Sequence, residues 1–128
     1  MLEQWQPAND HSQLPPTTAQ LRQLSECQDP KQLTDDAVIK QAKSWIALSE
    51  SDWQPILADM SADELIGLAF FYTRAEMCLQ GFDSLASNPA IWVFRELKQS
   101  GRLPDKAVIR ALKAETNNRF IPYGSVVL

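Results

Sequence analysis

Five acidic side chains lie within a short stretch of the sequence, and paired carboxylates can act as the general acid and base of an enzyme. They are Glu50, Asp52, Asp59, Asp63 and Glu64. Such catalysis requires burial that separates the pKa values of two carboxyl groups. Each of the five instead lies at or near a predicted helix start, where the helix dipole favours a negative charge. We therefore expect these residues to stabilise helices and not to form an active site.

Histidine chemistry is limited by the single histidine of the chain, His11, which lies in an N-terminal arm without helical periodicity. A histidine-based triad, a Cys–His pair and a multi-histidine metal site within one chain are thereby excluded. The four glycines are scattered at positions 67, 81, 101 and 124 and cannot form a glycine-rich phosphate loop. The sequence therefore predicts a protein without catalytic activity, metal site or cofactor.

The distribution of charge is the strongest functional signal. Residues 1–64 contain 4 basic and 11 acidic side chains, whereas residues 65–128 contain 8 basic and 5 acidic ones, within a net charge of −4. Lys106, Arg110 and Lys113 are spaced i, i+4 and i+7, which places them on one stripe of the last predicted helix. Together with an aromatic residue and the cations of the preceding helix, they form the predicted partner-binding surface: Trp92, Arg95, Lys98, Arg102, Lys106, Arg110 and Lys113.

This surface has two functional interpretations. The first is a non-catalytic interaction module that binds an acidic protein surface, of another protein or of the acidic half of a second copy, through arginine–carboxylate pairing. The alternative is nucleic-acid binding by the same basic stripe, which requires only several lysines and arginines on one surface. A helix-turn-helix motif does not fit, because Leu97 occupies a position that requires a small residue and Arg110 one that requires an apolar residue.

Three further residues have alternative roles. Trp92 lies off the apolar stripe of its helix. Either this helix is buried on two sides and Trp92 belongs to the core, or Trp92 is an exposed anchor for a protein partner. Arg74 and Glu76 lie on opposite sides of the longest predicted helix and cannot pair with each other. If that helix is covered, each needs another partner, either in a structural ion pair or as a polar anchor at the floor of a groove.

The elements that position these residues are helices. Ser61 to Glu64 form a capping box that opens a helix near 62–80, which has apolar residues on two sides and is therefore predicted to lie between layers. Asn88 and Pro89 begin the next helix, and a four-residue connection leads to the last one, from Pro104 to about Asn117. Other helices are predicted from Thr17 to about residue 29, from an N-cap at Thr34 to about Leu48, and from Ser51 or Asp52 to about 60, with Pro55 in the first turn.

The predicted fold is an all-α, compact single-domain bundle of five to six helices around the helix near 62–80. Residues 1–16 are predicted to be a mobile arm. The single domain spans 17–128, including a docked C-terminal tail, 117–128, held by Phe120, Ile121 and Tyr123.

The expected location is the cytoplasm. No basic segment followed by an apolar one precedes the fold, so no signal peptide is predicted. The longest apolar run, residues 65–72, is far shorter than the roughly 20 residues that cross a membrane, and no membrane partner is expected. Cys27 and Cys78 are widely separated without a CxxC spacing, and are expected to be buried free thiols.

Overall fold

The computed structural model describes residues 15–124, and within them all regular structure is helical. The α-helices are α1 (Thr18–Ser25), α2 (Asp36–Ser44), α3 (Glu50–Leu57), α4 (Ala62–Cys78), α5 (Pro89–Gln99) and α6 (Lys106–Ala114). Short 3-10 helices lie at Pro30–Gln32, Trp45–Ala47 and Leu85–Ser87. The predicted all-α class is confirmed. Residues 1–14 of the predicted arm and 125–128 of the predicted tail lie outside the described residues.

Helix α4 is the central element of the bundle, as its sequence pattern predicts. Its N-terminus is fixed by the capping box, in which Ser61 Oγ accepts from the Glu64 N–H and Glu64 Oε1 accepts from the Ser61 N–H, at 3.2 and 3.0 Å. It packs against α1 and α5. On one apolar side, Leu65, Leu68, Tyr72 and Ala75 are at most 1% exposed, but on the other side Met77 is 48% exposed. The helix ends at Cys78, two residues before the predicted end.

Helix α1 runs alongside α4 in the same direction. One contact joins Arg22 to Glu64, and a later one joins the carbonyl of Gln28 to Arg74. The residue numbers of both segments thus increase in the same direction. Between these contacts the two backbones approach so closely that a Cβ atom on Gly67 would collide with the carbonyl oxygen of Ser25. Because glycine has no side chain, Gly67 allows the two helices to approach this closely.

An aromatic cluster joins the central helix to the first half of the chain. Trp53, Phe71, Tyr72 and Phe82 are at most 1% exposed, and their rings meet mostly edge to face. The polar atoms of the cluster are satisfied by backbone, since Tyr72 donates to the Ala42 carbonyl at 2.7 Å and Trp53 to the Trp45 carbonyl at 3.2 Å. Burial raises the pKa of Tyr72 well above its ordinary value. These two bonds hold the end of α2 on the core.

Helix boundaries differ from the predicted ones where two caps compete. Helix α2 begins after Asp35, not after Thr34, because the Asp35 carboxylate accepts from the Ala37 N–H at 3.0 Å. Helix α3 begins after Ser49, which forms a capping box with Asp52. Pro55 consequently lies inside α3 and not in its first turn, and the carbonyl that loses its partner belongs to the exposed Ser51.

The last helix differs from its predicted bounds, whereas the segment after it packs as expected. Helix α6 begins at Lys106 and ends at Ala114, two residues after and three before the predicted bounds. The chain then turns back, so that Ile121 lies in the core and Phe120 and Tyr123 pack against it. Cys27 is half-buried and Cys78 is exposed, so the expectation of two buried thiols is wrong: neither thiol is fully buried. Among residues 15–124, no helix is long and apolar enough to cross a membrane.

Candidate functional site

Arg95, on α5, is engaged within the molecule. Arg95 donates from Nη1 to the Glu50 carboxylate at 2.8 Å and from Nε to the Tyr123 carbonyl at 3.1 Å. Its guanidinium also lies over the ring of Trp92, 5.2 Å from the centroid. Arg95 therefore joins the start of α3 to the C-terminal segment, and its donors are not available as a group to an external carboxylate.

Arg102 is engaged in the same way in the turn that follows α5. Its Nη1 donates to the Met60 carbonyl at 2.7 Å, and its Nε to Ser100 Oγ at 2.8 Å. Its Nη2 lies 3.5 Å from Glu96, a carboxylate on α5 with only 7% of its residue surface exposed. A buried carboxylate requires such a partner, because an unpaired one is strongly destabilising. Arg102 thus connects α5 to the junction between α3 and α4.

Trp92 and Lys98 occupy intermediate positions. Trp92 is half-buried and packs against the core. It lines a narrow cleft between α3 and α5 that has no room for a water molecule, and its buried Nε1 has no hydrogen-bond partner within residues 15–124. Lys98 is exposed, with its Nζ 5.1 Å from the centroid of the Tyr123 ring. The aromatic residue predicted to flank the basic surface is thus covered in part by Arg95.

The cations of α6 are arranged differently. Lys106, Arg110 and Lys113 are exposed, and none of them forms an ion pair within 4 Å with any residue between 15 and 124. Helix α6 is attached to the bundle by its opposite side, where Leu112 is buried and Val108 and Ile109 are half-buried. The predicted spacing therefore does place three cations on one solvent-facing side of this helix.

Helix α6 also departs from the local rules that stabilise helix ends. Each of the five α-helices that precede it within residues 15–124 has a side chain that caps its N-terminus. The N-cap residue of α6, Asp105, makes no such bond, and the first helical residue is the cation Lys106. A positive charge in the first turn opposes the helix dipole. Local violations of this kind tend to occur where residues serve function.

Arg74 has internal partners, and it also lines a groove. It donates from Nη1 to the Gln28 carbonyl at 2.8 Å and from Nη2 to Glu115 at 2.9 Å, and it lies over the ring of Phe70. This ion pair with Glu115 corresponds to one of the two alternatives that the sequence left open for Arg74, namely a structural ion pair. The same side chain borders an open groove of about 550 Å³, lined by Gln28, Asp29, Pro30, Lys31, Arg74, Met77, Cys78 and Glu115.

Glu76 is held by four neutral donors. It accepts from the backbone N–H groups of Ser84 and Leu85, at 2.8 and 2.9 Å, and from the side-chain amides of Asn88 and Asn118, at 3.2 and 2.9 Å. These bonds connect α4 to the loop before α5 and to the segment after α6. Sequence reasoning missed Asn88 and Asn118 as partners, because nothing in their local pattern indicates a contact so far along the chain.

The acidic residues of the cluster have separate surroundings. Asp59 and Asp63 are exposed, and Glu50 is paired with Arg95. Hydrogen bonds from the Ser61 backbone and the Arg22 side chain lower the pKa of Glu64, which opposes a role as a proton donor near neutral pH. Within residues 15–124, no three His, Cys, Asp or Glu side chains come together in a group that could hold a metal ion.

Comparison with known proteins adds no further assignment. No protein-family model, no curated protein and no solved structure matches this chain.

Proposed function

We propose that this protein is a non-catalytic interaction module that binds an acidic protein surface through Lys106, Arg110 and Lys113. The observation that carries the proposal is the contrast between two groups of cations. Arg95 and Arg102 are committed to internal carboxylates and carbonyls, whereas the three cations of α6 have no carboxylate partner within residues 15–124. Exposed charges arranged in this way steer association with a surface of opposite charge.

The proposed surface is narrower than the one that the sequence predicts. Trp92, Arg95 and Arg102 move from the binding surface to the internal framework, because their polar and aromatic groups contact other parts of the bundle. Lys98 stays at the edge of the proposed surface. The proposal includes a cytoplasmic location, which the two free thiols Cys27 and Cys78 support.

The proposal is tested by affinity capture from the source cell with a triple charge reversal, Lys106→Glu with Arg110→Glu and Lys113→Glu. The matched control reverses three exposed cations elsewhere, Lys31, Lys40 and Arg119, none of which forms an ion pair within residues 15–124. Both variants change the net charge equally. The α6 variant should lose the captured proteins and the control should retain them. Identical capture by both variants would refute the proposed surface.

Nucleic-acid binding is distinguished by its dependence on salt. The affinity of a protein for DNA falls linearly in a log–log plot, with a slope of about −0.9 for each phosphate neutralised. A gel shift at low salt should show no retardation of DNA or RNA by the wild type. Retardation that the α6 charge reversal abolishes would favour the nucleic-acid alternative over the protein partner.

A further inference from the structure

We infer that the partner of α6 is itself a helix, whose acidic side chains are spaced i, i+4 and i+7 and lie alongside the cation row of Lys106, Arg110 and Lys113. This inference rests on the proposed function and specifies its partner. It starts from the composition of the exposed side of α6. That side consists of six residues, Lys106, Ala107, Arg110, Ala111, Lys113 and Ala114.

The exposed side of α6 differs from that of an ordinary solvated helix. The exposed residues of α2 include both charges and an amide, namely Asp36, Lys40, Gln41 and Lys43. Helix α6 contains no acidic residue, so its cations are not balanced by i, i+4 pairs within the helix. A surface with one sign of charge complements an acidic partner more strongly than a mixed surface does.

The spacing of the cation row matches a second helix better than it matches an irregular acidic surface. Steps of four and then three residues follow one side of a helix, and the same steps define the seam between two packed helices. Ala107, Ala111 and Ala114 follow the cation row with identical spacing. Because the distance between packed helix axes depends on the side chains at the contact, these alanines allow a partner helix to lie close to the cations.

Charge also selects between a second copy and a different protein. A two-fold pairing of α6 with α6 would place the three cations of each copy in one interface, where like charges repel. No α-helix within residues 15–124 carries three acidic side chains at this spacing, so a second copy offers no matching helix there. The occupant is therefore an acidic helix of a separate protein. Nine residues of α6 span about 14 Å, so the contact involves two to three turns of that partner.

The N-terminal end of α6 supports the same conclusion. Lys106 opposes the helix dipole, and the Asp105 side chain accepts no hydrogen bond from the first turn. This end therefore lacks the side-chain cap that stabilises the other described α-helices. A carboxylate on a neighbouring helix would pair with Lys106 and offset this unfavourable charge. Replacing Lys106 by glutamate should therefore strengthen the isolated fold while it weakens partner binding, a combination that a purely structural lysine would not produce.

The test uses two synthetic peptides of identical composition, each about 14 residues long and cross-linked so that it is helical in isolation. In the aligned peptide, three glutamates are spaced i, i+4 and i+7 on one side; in the permuted peptide, they are distributed around the helix. Binding to the full chain is measured by calorimetry at about 0.15 M salt. The aligned peptide should bind about tenfold more tightly, since each exposed ion pair contributes a factor of about 1.4 to 5.

Two variants, each with a matched control, connect this binding to the described surface. Reversal of Lys106, Arg110 and Lys113 to glutamate should abolish binding of the aligned peptide, whereas reversal of Lys31, Lys40 and Arg119 should leave it unchanged. Ala111→Leu should weaken it severalfold by separating the helices. The matched control is Ala37→Leu, at another exposed helical alanine.

The outcomes separate the two proposals. Equal binding of both peptides, with dependence on the α6 cations, would overturn the helical partner and leave the acidic surface in place. Binding of the aligned peptide that persists after reversal of the α6 cations would overturn the helical partner at this site. Loss of captured proteins in the affinity experiment tests the proposed function separately.

Discussion

Helices α5 and α6 each carry basic residues at helical spacing, yet the two rows have different surroundings. Arg95 on α5 and Arg102 just after it connect elements that are more than forty residues apart in sequence. The cations on α6 are exposed and form no ion pair within the described part of the chain. The difference shows that a basic stripe has no fixed meaning, because the acids and carbonyls that the fold brings nearby decide what the stripe does.

Two features of α5 explain why Arg95 and Arg102 are used internally. The helix lies between α3 and α4, so that its flanks meet other elements of the bundle. It also carries Glu96, a nearly buried carboxylate that needs a cation. Helix α6 contacts the bundle along one side only and offers no carboxylate of its own. We therefore expect the arginines Arg95 and Arg102 to contribute to stability, and the cations of α6 to contribute to binding of the acidic peptide.

The largest expected effect on stability is that of Arg102→Ala. The substitution removes the donors to Met60 and Ser100 and leaves Glu96 without its cation. We expect the free energy of unfolding to fall by about 2 kcal/mol, as for other hydrogen bonds that involve a charged group. Urea denaturation followed by circular dichroism measures this loss. A change below about 0.5 kcal/mol would show that Arg102 belongs with the α6 cations.

A smaller loss is expected for Arg95→Ala. Its ion pair with Glu50 is 41% exposed on both sides, so the pair itself contributes little, and the bond to the Tyr123 carbonyl provides most of the effect. We expect the free energy of unfolding to fall by about 1 kcal/mol. Hydrogen exchange should also increase in residues 119–124. Unchanged exchange there would contradict the role of Arg95 in holding the C-terminal segment.

Lys106→Glu should change stability in the opposite direction. A carboxylate in the first turn of α6 complements the dipole, so we expect a gain of about 0.3–1 kcal/mol in the free energy of unfolding. The control is Lys113→Glu, which makes the same charge change in the last turn and should destabilise α6 slightly. Both variants should bind the aligned acidic peptide more weakly. A loss of stability in Lys106→Glu would indicate an internal partner for Lys106.

The smallest expected effect concerns the Arg22–Glu64 pair, which joins α1 to α4. The pKa of Glu64 lies below its ordinary value of 4.5, so the folded state favours the ionised form. This contribution to stability is fully present above the ordinary pKa and is lost as the pH falls through the lowered one. Denaturation of the wild type and of Glu64→Gln at about pH 7 and about pH 3 should show the larger decrease in the wild type. Parallel decreases would contradict the assignment.

The predictable features of the molecule are those that depend on local sequence. The caps at Ser61 and Asn88 locate two helices, and the steps between Lys106, Arg110 and Lys113 place these residues on one side of a third. Cap positions were missed where adjacent residues compete, as at Thr34 and Asp35, because both can accept the same N–H groups.

The internal use of Arg95 and Arg102 could not be predicted in this way. Their partners Glu50 and Met60 are distant in sequence and come near only when α3 packs against α5. No periodicity within one helix carries that information. For the same reason, the sequence placed these arginines and the α6 cations on a single surface, although their contacts in the structure differ.

The stability of the triple variant in which Lys106, Arg110 and Lys113 are replaced by alanine tests most directly whether these cations lack a role inside the molecule. If these side chains serve only an external partner, its free energy of unfolding should equal or exceed that of the wild type, since the helix propensity of alanine and the removal of Lys106 from the first turn offset the loss of Lys113 from the last turn. The measurement is urea denaturation of both proteins side by side. A loss as large as that of Arg102→Ala, about 2 kcal/mol, would contradict the account.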